Sequence, residues 1–178
     1  LYMPNKPDYI ACWDGLNKVG DVTALINYNL TGPQLVHCVK VAKASAVIVD
    51  ISLKQDWADV AYGLSDVTPF LRGGMADGFH DLDRALNAQP IRRPNPIYRS
   101  TIVGKDPALY VYTSGTTGHP KAAVLTQSRT RGISRAFIAG TDATKNDKIY
   151  IPLPLYHGTG GVCAVGIALK LGGTIVLA

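Results

Sequence analysis

The stretch Thr113-Ser114-Gly115-Thr116-Thr117-Gly118-His119-Pro120-Lys121 has the composition of a site. Its three Thr and one Ser carry hydroxyls that rotate to meet phosphate oxygens. Gly115 and Gly118 open backbone conformations closed to other residues, so successive N–H groups can turn inward as an anion nest. Pro120 stiffens the approach to Lys121, whose ammonium is a mobile point charge. Each part suits a polyphosphate. The pattern is not a Walker A loop, which needs Gly-Lys-Ser/Thr followed at once by a helix. Here Lys121 stands three residues beyond Gly118 and leads into Ala122-Ala123-Val124. A lone Gly-Thr-Thr-Gly would be read as a hairpin turn; the full nine residues behind an apolar strand favour the phosphate reading.

The charge pattern agrees. Eighteen Lys+Arg oppose thirteen acids, a net of +5, and every acid is Asp. Without Glu, any mechanism that needs one within these 178 residues is excluded. From Asp50 to Asp83 seven Asp face only Lys54 and Arg72, a local net of −5, so the remaining residues carry +10. From Pro107 to Thr141 the cations Lys121, Arg129, Arg131 and Arg135 occur without an acid, a field that suits a phosphate ligand. The segment lacks the charge density and interleaved aromatics of a nucleic-acid groove, so no nucleic-acid partner is expected. Cys12, Cys38 and Cys163 are odd in number and scattered, which argues against a disulfide framework and a zinc site and fits a reducing compartment. They read as small buried hydrophobes. No metal ligand is assigned.

The elements that must position the loop alternate between helix and strand. A helix is expected from Asp8 to Val19, punctuated by Pro7 and Gly20. A short strand follows over Val22 to Ile26, then a helix from Gln34 to Ala44 with Leu35, Val39 and Ala42 on one face. Ser45 to Asp50 is a β-branched buried strand. Ile51 to Ser100 is less regular and reads as a helix, a surface excursion and an extended connector, with no functional reading. Leu109 to Thr113 is a strand and Ala122 to Leu125 is extended. Thr126 can cap a helix running to about Ala139, on which Arg129, Arg131 and Arg135 form a solvated basic face. Lys148 to Leu153 is a strand, Tyr156 to Gly161 a loop, Val162 to Leu171 a small-residue helix, and a strand starts at Thr174. Tyr112 reads as a strand residue that holds the loop; His37 and His80 read as structural. The expected fold is α/β, with a mostly parallel sheet flanked by helices. The apolar run Val162 to Ala178 contains Lys170 and a Gly172-Gly173 break, which fits helix, turn and strand better than a membrane span. The length suits one domain. Leu at position 1 and the apolar run at Ala178 lead to the expectation of a single partial domain, 1–178, truncated at both ends.

Tyr112 to Lys121, read as Y-T-S-G-T-T-G-x-P-K, resembles the AMP-binding signature of the adenylate-forming superfamily of acyl-CoA synthetases, peptide-synthetase adenylation domains and luciferases. Pro152-Leu153-Pro154-Leu155-Tyr156-His157 resembles the P-L-P-L-Y-H block that follows it in the same family. Asn5-Lys6-Pro7-Asp8-Tyr9 and Trp13-Asp14-Gly15-Leu16-Asn17-Lys18 resemble blocks of the fatty acid transport proteins, also called very-long-chain acyl-CoA synthetases. Ile26 to Leu30, Leu35 to Cys38 and Ser128-Arg129 continue that likeness, which is weakest from Ile51 to Ser100. Asp8 stands where Glu is commoner, and His119 where a small or apolar residue is commoner.

The resemblance implies an incomplete part of the large N-terminal domain of an adenylate-forming enzyme, without its small C-terminal domain. The implied function is that of a fragment of an ATP-dependent long-chain or very-long-chain fatty acid–CoA ligase, an acid–thiol ligase linked to fatty acid uptake. ATP, Mg²⁺ and coenzyme A are the implied cofactors and co-substrates, and a long-chain or very-long-chain fatty acid the implied partner. Lys121 and His157 are the implied catalytic residues. Tyr112, Thr113, Ser114, Gly115, Thr116, Thr117, Gly118, His119, Pro120 and Lys121 are the implied nucleotide-binding residues. The position of His157 lies near the acyl channel and adenylate in the family; the other reading is a hydrogen-bonded loop histidine. The family's Tyr-Gly-x-Thr-Glu and Thr-Gly-Asp blocks and its C-terminal catalytic Lys do not occur here, so the isolated fragment is expected not to complete adenylation. Relatives sit on membranes with the ligase domain facing the cytosol, so membrane association is expected through parts outside this fragment. Two alternatives stay open: a CoA ligase for an aryl, bile or carnitine-like acid, and a non-catalytic, truncated nucleotide-binding remnant.

Overall fold

A computed structural model describes residues 1–113 and 120–178. Helix α1 (Pro7–Val19) begins on Pro7, whose missing N–H costs nothing in a first turn. It ends at Gly20 in the left-handed region, φ 94°, where the N–H returns to the Asn17 carbonyl. Strand β1 (Thr23–Leu25) is wholly buried. Helix α2 (Gly32–Val41) buries Leu35, Cys38 and Val39, one apolar face at helical spacing. Strand β2 (Ala46–Asp50) follows.

Parallel pairing dominates. Strand β5 (Pro107–Thr113) lies between β1, parallel to it, and β6 (Lys121–Thr126), antiparallel to it. A second sheet has the order β2, β3 (Thr68–Arg72), β4 (His80–Asp81), all parallel. A third pairs β7 (Lys148–Ile151) with β8 (Thr174–Leu177), again parallel. The connecting helices include α3 (Lys54–Ala58), α4 (Leu82–Asn87), α5 (Gln127–Thr141) and α6 (Gly166–Leu171). Thr126 caps α5 as expected, its hydroxyl accepting the Arg129 N–H at 3.2 Å. Among the described residues no helix is long and apolar enough to cross a membrane.

Leu1 to Met3 run between the first two sheets. The Leu1 backbone nitrogen donates to the Ala24 carbonyl, and the Ile26 N–H to the Leu1 carbonyl. On the other side the Tyr2 N–H donates to Ile48, and the Asp50 N–H to Tyr2. Side chains alternate accordingly. Leu1 and Met3 enter a core with Leu25, Leu109, Ile151 and Leu155; Tyr2 enters one with Leu35, Val49, Trp57 and Leu71.

Two regions differ from the sequence expectation. The irregular stretch holds β3, the central strand of its sheet. Pro69 obscured it, because proline withholds a ladder donor. β4 meets only Phe70 and Leu71, so that side asks no donor of Pro69. The expected loop Tyr156 to Gly161 becomes, from Gly158, a wide π-type helical segment (Gly158–Val165) running into α6. Gly160 and Gly161 permit it: a Cβ on Gly160 would lie 2.6 Å from the Pro154 carbonyl oxygen, and one on Gly161 would collide with that of Leu155.

Candidate functional site

The signature's flanks form the stems of a hairpin. Ala108, Leu109 and Val111 bury β5 in the core, and Thr113 and Lys121 face one another in register where β6 begins. Both are exposed, and the Thr113 hydroxyl lies 3.5 Å from the Lys121 carbonyl, a weak contact. Ser114, Gly115, Thr116, Thr117, Gly118 and His119 lie outside the described residues.

Helix α2 fastens both stems with consecutive residues. The Tyr112 hydroxyl donates to the Cys38 carbonyl at 2.6 Å. Burial, then the neighbouring Cys38 and Tyr110, push this phenol far above its ordinary range, so it stays a donor. On the other stem His37 Nε2 lies 3.0 Å from the Pro120 carbonyl oxygen. A carbonyl only accepts, so Nε2 carries the proton. Tyr112 is a strand residue, as the sequence suggests, whereas the contact of His37 with Pro120 was not anticipated. Nothing in residue types marks a backbone acceptor brought in from 83 positions away.

Lys121 is exposed and has no ion pair among the described residues. His157 lies on another element, exposed at the mouth of the π-type segment. Its ring sits 4.6 Å from that of Tyr156. Its backbone N–H donates to Pro154, and its carbonyl accepts from Gly161. Among the described residues no hydrogen bond joins His157 to Lys121.

The P-L-P-L-Y-H loop is clasped by Asn5, whose Nδ2 donates to the Leu153 carbonyl at 3.1 Å and whose Oδ1 accepts the Leu155 N–H at 2.8 Å. Tyr156 packs edge-on to Tyr28 with ring centroids 5.5 Å apart. The residues after Asn5 bind the ends of two strands. Lys6 pairs with buried Asp50 at 2.6 Å, and Asp8, with Asp83, pairs with Arg72. The block Asn5 to Asp8 is therefore a tether, a role its sequence did not announce. Of the three Cys only Cys38 is fully buried; Cys12 and Cys163 are half-buried. Among the described residues no group of three or more His, Cys and Asp could hold a metal ion.

Residues 1–178 match the family described as AMP-binding enzyme from end to end. The chain belongs to the AMP-binding enzyme family. Within it, the chain is 34% identical over 187 aligned residues to mouse (Mus musculus) long-chain fatty acid transport protein 6, an alignment covering 99% of this chain and 29% of that protein. The chain therefore spans under a third of the length of that curated relative. Its fold superposes on the N-terminal domain of FACL13 from Mycobacterium tuberculosis with a TM-score of 0.82 at 25% identity, covering 99% of this chain and 42% of that one. A long-chain-fatty-acid–CoA ligase from Archaeoglobus fulgidus shares the fold with a TM-score of 0.84 at 22% identity, over 99% of this chain and 34% of that one. The α/β architecture expected of an AMP-binding enzyme's N-terminal domain is the one observed.

Proposed function

We propose that these residues are the nucleotide-gripping part of an ATP-dependent long-chain or very-long-chain fatty acid–CoA ligase linked to fatty acid uptake. The observation that carries the reading is Lys121, exposed and without an ion pair among the described residues, set opposite Thr113 at the stems of the signature in a chain of the AMP-binding family. In the proposed reaction a fatty carboxylate attacks the α-phosphorus of ATP and pyrophosphate leaves. Coenzyme A then attacks the acyl-adenylate as its thiolate, releasing AMP. A carboxylic acid with a pKa of about 4 to 5 is already ionised at neutral pH, so the first step needs no general base. The obstacle is bringing two anions together and stabilising charge as it grows on phosphorus, for which fixed donors and cations are the remedy. Lys121 supplies the charge, and the hydroxyls and N–H groups of Ser114 to Gly118 the donors. Mg²⁺, when bound, neutralises phosphate charge, with ligands outside the described residues. His157 borders the acyl and adenylate site. The protein works at a membrane with this site facing the cytosol, a reading supported by its likeness to a fatty acid transport protein.

The test is ATP–pyrophosphate exchange by the whole protein. Lys121→Ala should remove roughly 2 to 4 kcal/mol of transition-state stabilisation, a loss of about 30- to 1000-fold. Unchanged ATP affinity and exchange would overturn the assignment. A series of acids of rising chain length, set beside aryl and bile acids, then identifies the substrate class.

A further inference from the structure

From Arg84 to Lys105 the chain carries five cations (Arg84, Arg92, Arg93, Arg99 and Lys105) and no acid. The fold gathers part of this run. Arg92, Arg93 and Arg99 line a cleft of about 400 Å³ together with Lys18 from the last turn of α1, and no carboxylate lines it. Lys18 also pairs with Asp14 one turn back, whereas the three arginines have no ion pair among the described residues. Large apolar side chains stand beside this charge: Ile91 is fully exposed, Ile97 is 68% exposed and Tyr98 61%. Ile97 and Tyr98 belong to a single helical turn, Pro96–Arg99, fixed by Asn95 accepting the Ile97 N–H at 3.0 Å. Its base is pinned, because Ile102 packs so closely on Gly20 that a Cβ there would lie 3.0 Å from its Cδ1. The inner side of the segment thus faces α1, and Ile97 and Tyr98 face out.

One exposed isoleucine is ordinary on a protein surface. Three large apolar residues interleaved with unpaired arginines are the pattern of an interfacial element, in which apolar groups enter the acyl boundary and cations meet headgroup phosphates. Tyrosine favours that depth. Two of the three apolar residues are aliphatic and offer no ring for a base to stack on, which disfavours a nucleic acid. The position also fits. The segment leads into the Pro107 end of β5, and Thr113 stands at the other end, about 20 Å away at the usual rise of a strand.

We propose that residues 91–99, with Lys18, are a docking surface for an anionic phospholipid membrane that leaves the nucleotide stems facing away from it. The surface lies within these residues, unlike the membrane-associating parts expected outside them, and it stands apart from the ligase reading.

The test uses the whole protein with vesicles of phosphatidylcholine, alone or mixed with phosphatidylserine. Binding should rise with the phosphatidylserine fraction and fall with salt. The triple variant Arg92→Gln, Arg93→Gln, Arg99→Gln should bind anionic vesicles roughly a hundredfold more weakly, on the order of fivefold per cation removed. Ile97→Trp reports position directly. Brominated phosphatidylserine should quench the introduced indole, while Trp13 and Trp57, both buried, stay bright. Vesicle binding without that quenching, or a triple variant that binds as well as the parent, would place the contact elsewhere and overturn the proposal. Binding of inorganic phosphate or of an RNA oligonucleotide without vesicle binding would overturn it too. Quenching is read without turnover, so a failed Lys121→Ala prediction leaves this result intact. ATP–pyrophosphate exchange by the triple variant in solution should match the parent's.

Discussion

Asp50 is a buried carboxylate surrounded by donors. It is 1% exposed at the end of β2. Burial opposes its ionisation, but the Lys6 ammonium and both the hydroxyl and N–H of Ser52 donate to it and together hold the carboxyl below its ordinary value of 3.8. A depressed pKa means that the native state favours the ionised form. The stabilisation is therefore present above 3.8 and lost as the pH falls through the native value. Asp50→Asn should flatten the fall in melting temperature as the pH drops below about 4. Lys6→Met should cost roughly 2 to 4 kcal/mol in urea unfolding at neutral pH, since it leaves a buried charge with only the Ser52 donors. Asp50→Asn should cost less, because the Lys6 side chain is 35% exposed and can return to water. Equal losses for the two variants would show that desolvation of Asp50 is not what the pair offsets.

Elements position the site through backbone groups, and that limits what residue types can announce. The α5 cap and the α1 ends were legible because Thr, Pro and Gly act there through their own local chemistry, and the signature was legible as a pattern of its family. Strand β3 was not, since Pro69 argues against a central strand and only the two-residue length of β4 makes it tolerable. Nor were the ties from α2 to the stems, or from Asn5 to Leu153 and Leu155, because their acceptors or donors are main-chain groups that every residue carries. The Asn5 clasp is open to test. Asn5→Ala leaves the part-buried Leu155 N–H unpaired and should lower stability by about 1 to 3 kcal/mol. Asn5→Asp keeps the acceptor and should lose less. Gly161→Ala should be worse than either, by roughly 3 kcal/mol of overpacking, since its methyl meets the Leu155 carbonyl, which has no rotamer to move out of the way. If Gly161→Ala melts with the parent, the π-type segment is looser than this packing requires.

At the scale of the molecule, the question is what makes two sheets one cooperative body. Residues 1–3 are too few to show a hydrophobic period, so their role could not be read from sequence. In the fold they hydrogen-bond to β1 on one side and to β2 on the other. Tyr2 is the hinge of that arrangement. Its backbone pairs with Ile48 and Asp50, its ring is fully buried, and its hydroxyl donates to the Leu30 carbonyl at 2.7 Å. Burial, then Asp56, pushes the phenol up to about 12, so it remains a donor throughout the neutral range. Tyr2→Phe removes only the hydrogen bond and should cost about 1 kcal/mol. Tyr2→Ala empties a ring-sized site and should cost about 3 to 5 kcal/mol. Its reach should extend beyond its own core, because Leu1 and Met3, anchored by the same backbone, belong to the other one. Amide hydrogen exchange distinguishes the possibilities. In Tyr2→Ala, protection should fall together in β2 and in β5, the strand that ends at Thr113, whereas Met3→Ala should weaken β5 more than β2. Loss of protection in β2 with β5 unchanged would mean that the sheets fold independently and that the signature's stems draw no stability from residues 1–3.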